Sequence, residues 1–209
     1  MSNYSQKTNW GQFVSLVSVF FFWGFVAASN DILIPVFKKA FSLSNFQSQL
    51  VATAFYIAYT VGTLLYLLIS KIIGQDLLNK IGFKNGLIIG LLISAAGSLI
   101  FIPAANMQSF ELMIIALFTV GLGFSLQQTV ANPLAIALGP SETGSQRLTM
   151  AGGINNLGTT IGPIVVAFAI FGSAAAANDT ADIESVKIPY LILGLAFVLV
   201  AILLKFSSL

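Results

Sequence analysis

Of the 209 residues, 57% are hydrophobic and only 8% are charged, with mean hydropathy +0.94. A soluble domain carries about 25% charged residues, so this composition describes an integral membrane protein, and its net charge of +2 is too small to call for a nucleic-acid partner. Cys and His are absent, which excludes disulfides, thiol chemistry and the commonest proton relay and metal ligand.

Backbone hydrogen bonding restricts a membrane-spanning chain to helices or a closed barrel. Long apolar runs without strict alternation select helices. Six spans are predicted, at about 12–36, 46–70, 86–104, 110–138, 148–172 and 188–206. The first run is too long for a secretory signal, and its "AAS" leads into Asn30 and Asp31 rather than a processed domain.

Span 1 carries Trp23, Gly24, Asn30 and Asp31, with Pro35 four residues beyond the acid. A charge at bilayer depth costs roughly 2.5–3.5 kcal/mol on insertion scales. Asp31 shares a helical face with Gly24, Ala27 and Ala28, a small-residue groove leading to one carboxylate. Intramembrane ionisable groups are functional by default; the structural alternative is an ion pair with Lys38 or Lys39. Span 2 carries Gln47, Gln49, Thr53, Tyr56, Tyr59 and Thr60. Tyr56, Tyr59 and Trp23 could stack on the apolar face of a sugar ring.

Span 3 and span 6 contain almost nothing polar, which suits a lipid-facing position. Span 4 carries Ser125, Gln127, Gln128, Thr129 and Asn132. Gln128 shares a face with Gly121, Phe124, Ser125 and Asn132, and Pro133 frees a backbone carbonyl. Span 5 carries Asn155, Asn156, Thr159 and Thr160, with Gly158 and Gly162 spaced for close helix packing. Four polar spans around a cavity with two outside is the simplest arrangement. Between spans 5 and 6, Gly172 to Lys187 is small and acidic, with Asp179, Asp182 and Glu184.

Lys and Arg set the orientation. With the N-terminus inside, Lys7, Lys71, Lys80, Lys84, Arg147 and Lys205 lie on the inner side against Lys38, Lys39 and Lys187 outside, which places both termini in the cytoplasm. A repeat is also present. Gly24 and Asp31 recur as Gly121 and Gln128 at offset 97, Gly62 as Gly162 at 100, and Gly90 as Gly194 at 104. Three spans per unit is odd, so the second unit enters from the opposite side. The fold expected is an all-α membrane bundle of two inverted three-helix repeats, an arrangement common in secondary transporters.

The cavity inventory is one acid with amides, hydroxyls and aromatics. That fits an uncharged polyhydroxy solute held by Asp31, Gln128, Asn155, Asn156, Asn132, Gln49, Tyr56 and Trp23. A coupling cation would use Asp31, Thr53, Gln128 and Ser125; sodium on Asp31 is the metal candidate, because hard cations prefer oxygen ligands. No nucleophile–base pair points to an enzyme, and no other cofactor is called for.

The strings "FFFWGFVAASNDILIPVFKKAFSLSNFQSQLVATAFYIAY", "TVANPLAIALGP" and "LTMAGGINNLGTTIGP" resemble the fucose–galactose–glucose cation symporters of the major facilitator superfamily. The likeness covers nearly the whole chain. It implies the N-terminal six-helix half of a twelve-helix sugar transporter of the bacterial cytoplasmic membrane, working with a second half from another chain, a missing C-terminal segment or a copy of itself. It implies a hexose of the glucose or galactose kind moved by alternating access with Na+ or H+. A facilitative uniporter and a membrane sugar sensor are the alternatives. In that resemblance Asp31 matches an acid of sugar binding and proton coupling, and Asn155 matches a sugar ligand. Gln128 stands where the fucose transporter has a second acid, Gly152 where it has a glutamine, and Ala28 where it has an asparagine. A single carboxylate among neutral oxygens favours Na+ over H+, and L-fucose becomes a poorer substrate. Of the superfamily's loop motif between spans 2 and 3, Lys80, Gly82 and Lys84 remain, with Asn79 in the acid's place.

Overall fold

A computed structural model describes residues 7–172, 183–207 and 209. Every apolar run forms a helix, and most of these reach further than the hydropathy predicts: α1 (Trp10–Ala40), α2 (Asn45–Ile73), α4 (Phe83–Asn106), α5 (Phe110–Ala137), α6 (Gly144–Phe171) and α7 (Lys187–Phe206), with a short α3 (Leu77–Ile81) between α2 and α4. The six long helices are apolar enough to cross a membrane.

Their ends follow from side-chain chemistry. Asn9 accepts from the Gln12 amide to start α1, and Ser44 with Gln47 forms a reciprocal capping box at α2. Ser109 caps α5. At the turn into α3, Gly74 adopts a left-handed conformation with φ 75°, and Asp76 caps α3. Gly82, with φ 80°, turns the chain into α4, which is why a glycine stands in the sequence "NKIGFK". Pro35, Pro103, Pro133 and Pro163 lie inside helices, as membrane bundles tolerate.

Two helix pairs cross closely. Gly24 of α1 lies under α6, where an added Cβ would sit 1.9 Å from the Asn155 carbonyl oxygen. On the facing helix a Cβ at Gly158 would meet the Phe21 oxygen at 2.1 Å, and one at Gly162 the Phe25 oxygen at 2.3 Å. The second pair repeats the device. A Cβ at Gly121 of α5 would meet the Phe55 oxygen of α2 at 2.7 Å, and one at Gly62 of α2 the Ser125 hydroxyl of α5 at 2.0 Å. So α1 is to α6 as α5 is to α2, as an internal repeat requires. Gly24 and Gly121 hold equivalent places, as do Gly62 and Gly162, whereas Gly90 meets α5 and its counterpart Gly194 meets α4. Gly24 belongs to this packing, so the small-residue face expected to lead to Asp31 is covered by α6 at its Gly24 end.

The third and sixth spans each expose one apolar face, with Ile89, Leu92 and Leu99 on α4 and Leu191, Leu195 and Leu199 on α7, and bury the other. Neither α4 nor α7 is a loose outer helix: α4 packs along α5 and α7, and half of its apolar window is buried, against 17% for α2. Its Ser94 and Ser98 are fully enclosed. Phe101 of α4 stacks on the buried Tyr190 of α7, with ring centroids 3.7 Å apart, and the Tyr190 hydroxyl donates to Asn30 Oδ1 of α1 at 3.0 Å. The most exposed spans are α2 and α6.

Two of the residues counted as inner charges are structural. Arg147 is only 2% exposed and is bonded to the end of α5, while Lys84 donates to the Ser207 carbonyl beyond α7 at 2.7 Å. Lys38 donates to Asn45 Oδ1 at 2.8 Å, so it is committed to the α1–α2 turn rather than to Asp31. Of the acidic loop, Asp179 and Asp182 lie outside the described residues, and Glu184 pairs with Lys187.

Candidate functional site

Where α1, α5 and α6 converge, Phe20, Trp23, Gln128, Asn132, Leu148, Gly152 and Asn155 line a cleft of about 320 Å³. This is the size of a small-ligand site. Four of the residues expected at the site, Trp23, Gln128, Asn132 and Asn155, are therefore brought together from three helices. Gly152 adds room: a Cβ there would meet nothing within 4 Å.

Each polar group is held in place. Asn155 Nδ2 donates to the Phe20 carbonyl at 3.0 Å, leaving its oxygen as an acceptor. The Tyr59 hydroxyl of α2 donates to Gln128 Oε1, so the Gln128 amide retains two N–H donors for other partners. Tyr59 thus supports Gln128 instead of stacking in the cleft. Asn132 sits just before Pro133, which has no N–H to give the Thr129 carbonyl. Trp23 is 3% exposed, tilted against Phe20 with ring centroids 4.8 Å apart. The lining combines an aromatic wall with three carboxamides, which suits a ring with one apolar face and a rim of hydroxyls.

The remaining expected residues lie elsewhere. Tyr56 is 61% exposed and does not line the cleft. Gln49, Thr53 and Asn156 are exposed on α2 and α6. The Thr53 hydroxyl donates to its own helix at Gln49, 2.7 Å. Ser125 is buried in the α2–α5 crossing against Gly62 and donates to the Leu122 carbonyl at 2.9 Å. Thr53 and Ser125 thus spend their hydroxyl protons on backbone carbonyls. Asp31 is exposed on α1, away from the cleft lining. Pro35 denies its carbonyl the usual i+4 donor, so a carboxylate and a backbone oxygen of one residue are both available there. Among the described residues no cluster of three or more acidic, His or Cys side chains forms a metal site.

Sequence reasoning passed over two residues. Gln127, adjacent to Gln128, points about 100° away around the helix. Its amide accepts from Trp23 Nε1 at 3.1 Å and donates to Ser94 Oγ at 2.9 Å. Arg147 entered only as one of the inner-side cations that set the orientation. The signal for Gln127 was a second amide beside the first; for Arg147 it was the cation's place ten residues after the last helical turn of α5.

Residues 11–208 match the family model described as Major Facilitator Superfamily. The chain is 39% identical over 199 residues to a glucose/galactose transporter of Brucella abortus biovar 1 (strain 9-941), covering 95% of this chain and 46% of that protein. It is 33% identical over 211 residues to an L-fucose-proton symporter of Escherichia coli (strain K12), covering 94% of this chain and 46% of that one. The crystal structure of an E. coli fucose:proton symporter variant superposes with TM-score 0.72 at 28% identity, over 94% of this chain and 49% of that chain. These relatives are transporters rather than enzymes, and the chain spans about half their length. The glycine-paired six-helix bundle, the family match along nearly its whole length and the shared fold together make this chain a member of the Major Facilitator Superfamily.

Proposed function

We propose that this bundle is the N-terminal half of a hexose transporter and that the cleft of Trp23, Gln128, Asn132 and Asn155 holds the sugar. The observation that carries the reading is the lining itself: an indole beside three carboxamides and no fixed charge. The relatives named for glucose, galactose and fucose support the substrate class. Asn156, Gln49 and Tyr56 then face the second half rather than this cleft.

A second six-helix half completes the pathway. The least enclosed helices support that partner: α2 leaves Ile57, Leu64 and Leu67 exposed, and α6 leaves Leu157, Ile161 and Phe168 exposed. The two halves rock around the cleft in alternating access, in the cytoplasmic membrane, with both termini inside. Asp31 carries the coupling. Its carboxylate and freed carbonyl offer oxygens to a hard cation. With Gln128 in place of a second titratable group, the cation is sodium.

Counterflow of radiolabelled hexoses, with and without Na+ or a proton gradient, tests this reading in the assembled transporter. Glucose or galactose should exchange, and accumulation should need Na+. Asp31→Asn keeps the shape and removes the charge, so it should abolish gradient-driven accumulation while leaving exchange. Accumulation driven by pH and indifferent to Na+ would replace sodium with protons. Wild-type accumulation in Asp31→Asn would remove Asp31 from the mechanism.

A further inference from the structure

Behind the cleft lies a buried polar chain that begins at one lining residue, Trp23, and leads away from the cleft. Trp23 Nε1 donates to Gln127 Oε1 at 3.1 Å, Gln127 Nε2 donates to Ser94 Oγ at 2.9 Å, and Ser94 Oγ donates to the Val120 carbonyl at 3.3 Å. Gln127 and Ser94 are fully buried, so each bond is made where water cannot replace it. Two glycines make the room. A Cβ at Gly90 would lie 2.6 Å from Gln127 Cγ, and one at Gly123 would lie 2.2 Å from Ser94 Oγ. The chain thus runs from the cleft wall on α1 through α5 into α4, a helix that does not line the cleft.

We propose that Gln127 and Ser94 are positioning residues that lock the plane of the Trp23 indole and thereby set the affinity and ring selectivity of the sugar site. This inference rests on the sugar reading above. An indole has one N–H, and its direction fixes the ring about its long axis. Gln127 ends in an acceptor and a donor, so turning its Oε1 to the indole N–H turns its Nε2 to Ser94. Ser94 must in turn donate to Val120. Each partner sets the orientation of the next, and the last anchor is backbone. An apolar residue at 127 would pack equally well against α4 but leave the ring free to turn, with its N–H unsatisfied in an apolar surrounding.

The test uses Gln127→Leu and Ser94→Ala, with Trp23→Phe as the reference that keeps a ring but has no N–H. In this chain in lipid nanodiscs, with Trp10→Phe so that Trp23 is its sole tryptophan, Gln127→Leu should collapse the near-ultraviolet circular dichroism of the indole. Ser94→Ala should weaken it. In the assembled transporter, Gln127→Leu should raise the hexose KM by about tenfold, the equivalent of one lost hydrogen bond, with little change in maximal rate. On the Trp23→Phe background the same substitution should change KM by less than about twofold. An equal KM increase on both backgrounds would show that Gln127 only packs, and an unchanged indole spectrum in Gln127→Leu would overturn the proposal outright. If Trp23→Phe itself leaves every hexose KM unchanged, the sugar reading of the cleft fails instead. The transport role of Gln127 and Ser94 falls with it, while the spectrum still reports whether they hold the ring.

Discussion

Gly158→Val should be among the most damaging single substitutions in this bundle. The first atom of the new side chain would lie 2.1 Å from the Phe21 carbonyl oxygen and 2.8 Å from the Phe25 nitrogen. Both are backbone atoms of α1, so no rotamer change relieves the overlap and the two helices must separate. Overpacking of this kind costs about 1–3 kcal/mol, and two backbone collisions put this site at the upper end. For a chain of this size about 3 kcal/mol lowers the melting temperature by roughly 6–12 °C. Function falls further than stability, because α6 carries Asn155, whose amide is bonded to the Phe20 carbonyl across the same crossing. Hexose exchange should therefore be lost even in protein that remains folded. Gly153→Ala is the control on the same helix, since a Cβ there meets nothing within 4 Å. It should leave stability unchanged or raise it by up to about 1 kcal/mol, since alanine is the better helix former. A Gly158→Val protein that melts with the parent would refute the α1–α6 contact. Thermal melting followed by single-site fluorescence reads both variants.

Arg147→Met should be comparably severe, for a different reason. Helix α5 ends at Ala137, so its last carbonyls have no intrahelical donors. Arg147, buried at the start of α6, supplies them. Its Nε donates to the Ala135 carbonyl at 2.9 Å, one Nη to the Ile136 carbonyl and to the Pro140 carbonyl at 2.8 Å, and the other Nη to the Thr143 hydroxyl at 2.7 Å. The same Nη reaches the Thr8 hydroxyl at 3.4 Å, which ties in the chain before α1. A guanidinium at a helix C-terminus also opposes the negative end of the helix dipole. Removing it orphans the Ala135 and Ile136 carbonyls at roughly 1–3 kcal/mol each, while the Pro140 carbonyl keeps the Thr143 amide and hydroxyl, so the loss should match or exceed that of Gly158→Val. Arg147→Lys keeps the charge but has one nitrogen for acceptors spread around the turn. It should recover less than half of the loss, and amide hydrogen exchange should rise first at Ile136 to Leu138. If Arg147→Lys were as stable as the parent, charge and not the fork of donors would hold this turn.

Much of this architecture could be read from residue order. Apolar runs placed the six spans, and the glycine offsets exposed the repeat, because close helix crossings leave small residues at fixed positions. The cleft was legible in part. Trp23, Gln128, Asn132 and Asn155 come together since polar groups in a span turn away from lipid. Tyr56, Gln49, Thr53 and Asn156 obey the same rule, yet they face the open side of α2 and α6. Sequence polarity distinguishes lipid from non-lipid, but it does not say which of two polar environments a side chain enters. The enclosed positions of α4 were illegible for a related reason: Ser94 and Ser98 are too small to mark a span as polar. Arg147 illustrates the limit of charge counting, since its bonds depend on where α5 stops.

The central claim is that a sugar occupies the cleft between α1, α5 and α6. The chain contains no cysteine, so a single introduced thiol reports one place. Gly152→Cys puts that thiol on the cleft wall, where a Cβ has open space, and Gly153→Cys puts one beside it, off the cleft, on the face of α6 assigned to the second half. In the assembled transporter, a transported hexose at saturating concentration should slow alkylation of Gly152→Cys by at least about tenfold, the occupancy effect of [L] well above Kd. It should leave Gly153→Cys unchanged, and a non-transported sugar should protect neither. Alkylation of Gly152→Cys at the same rate with and without a hexose that the transporter demonstrably moves would contradict the account.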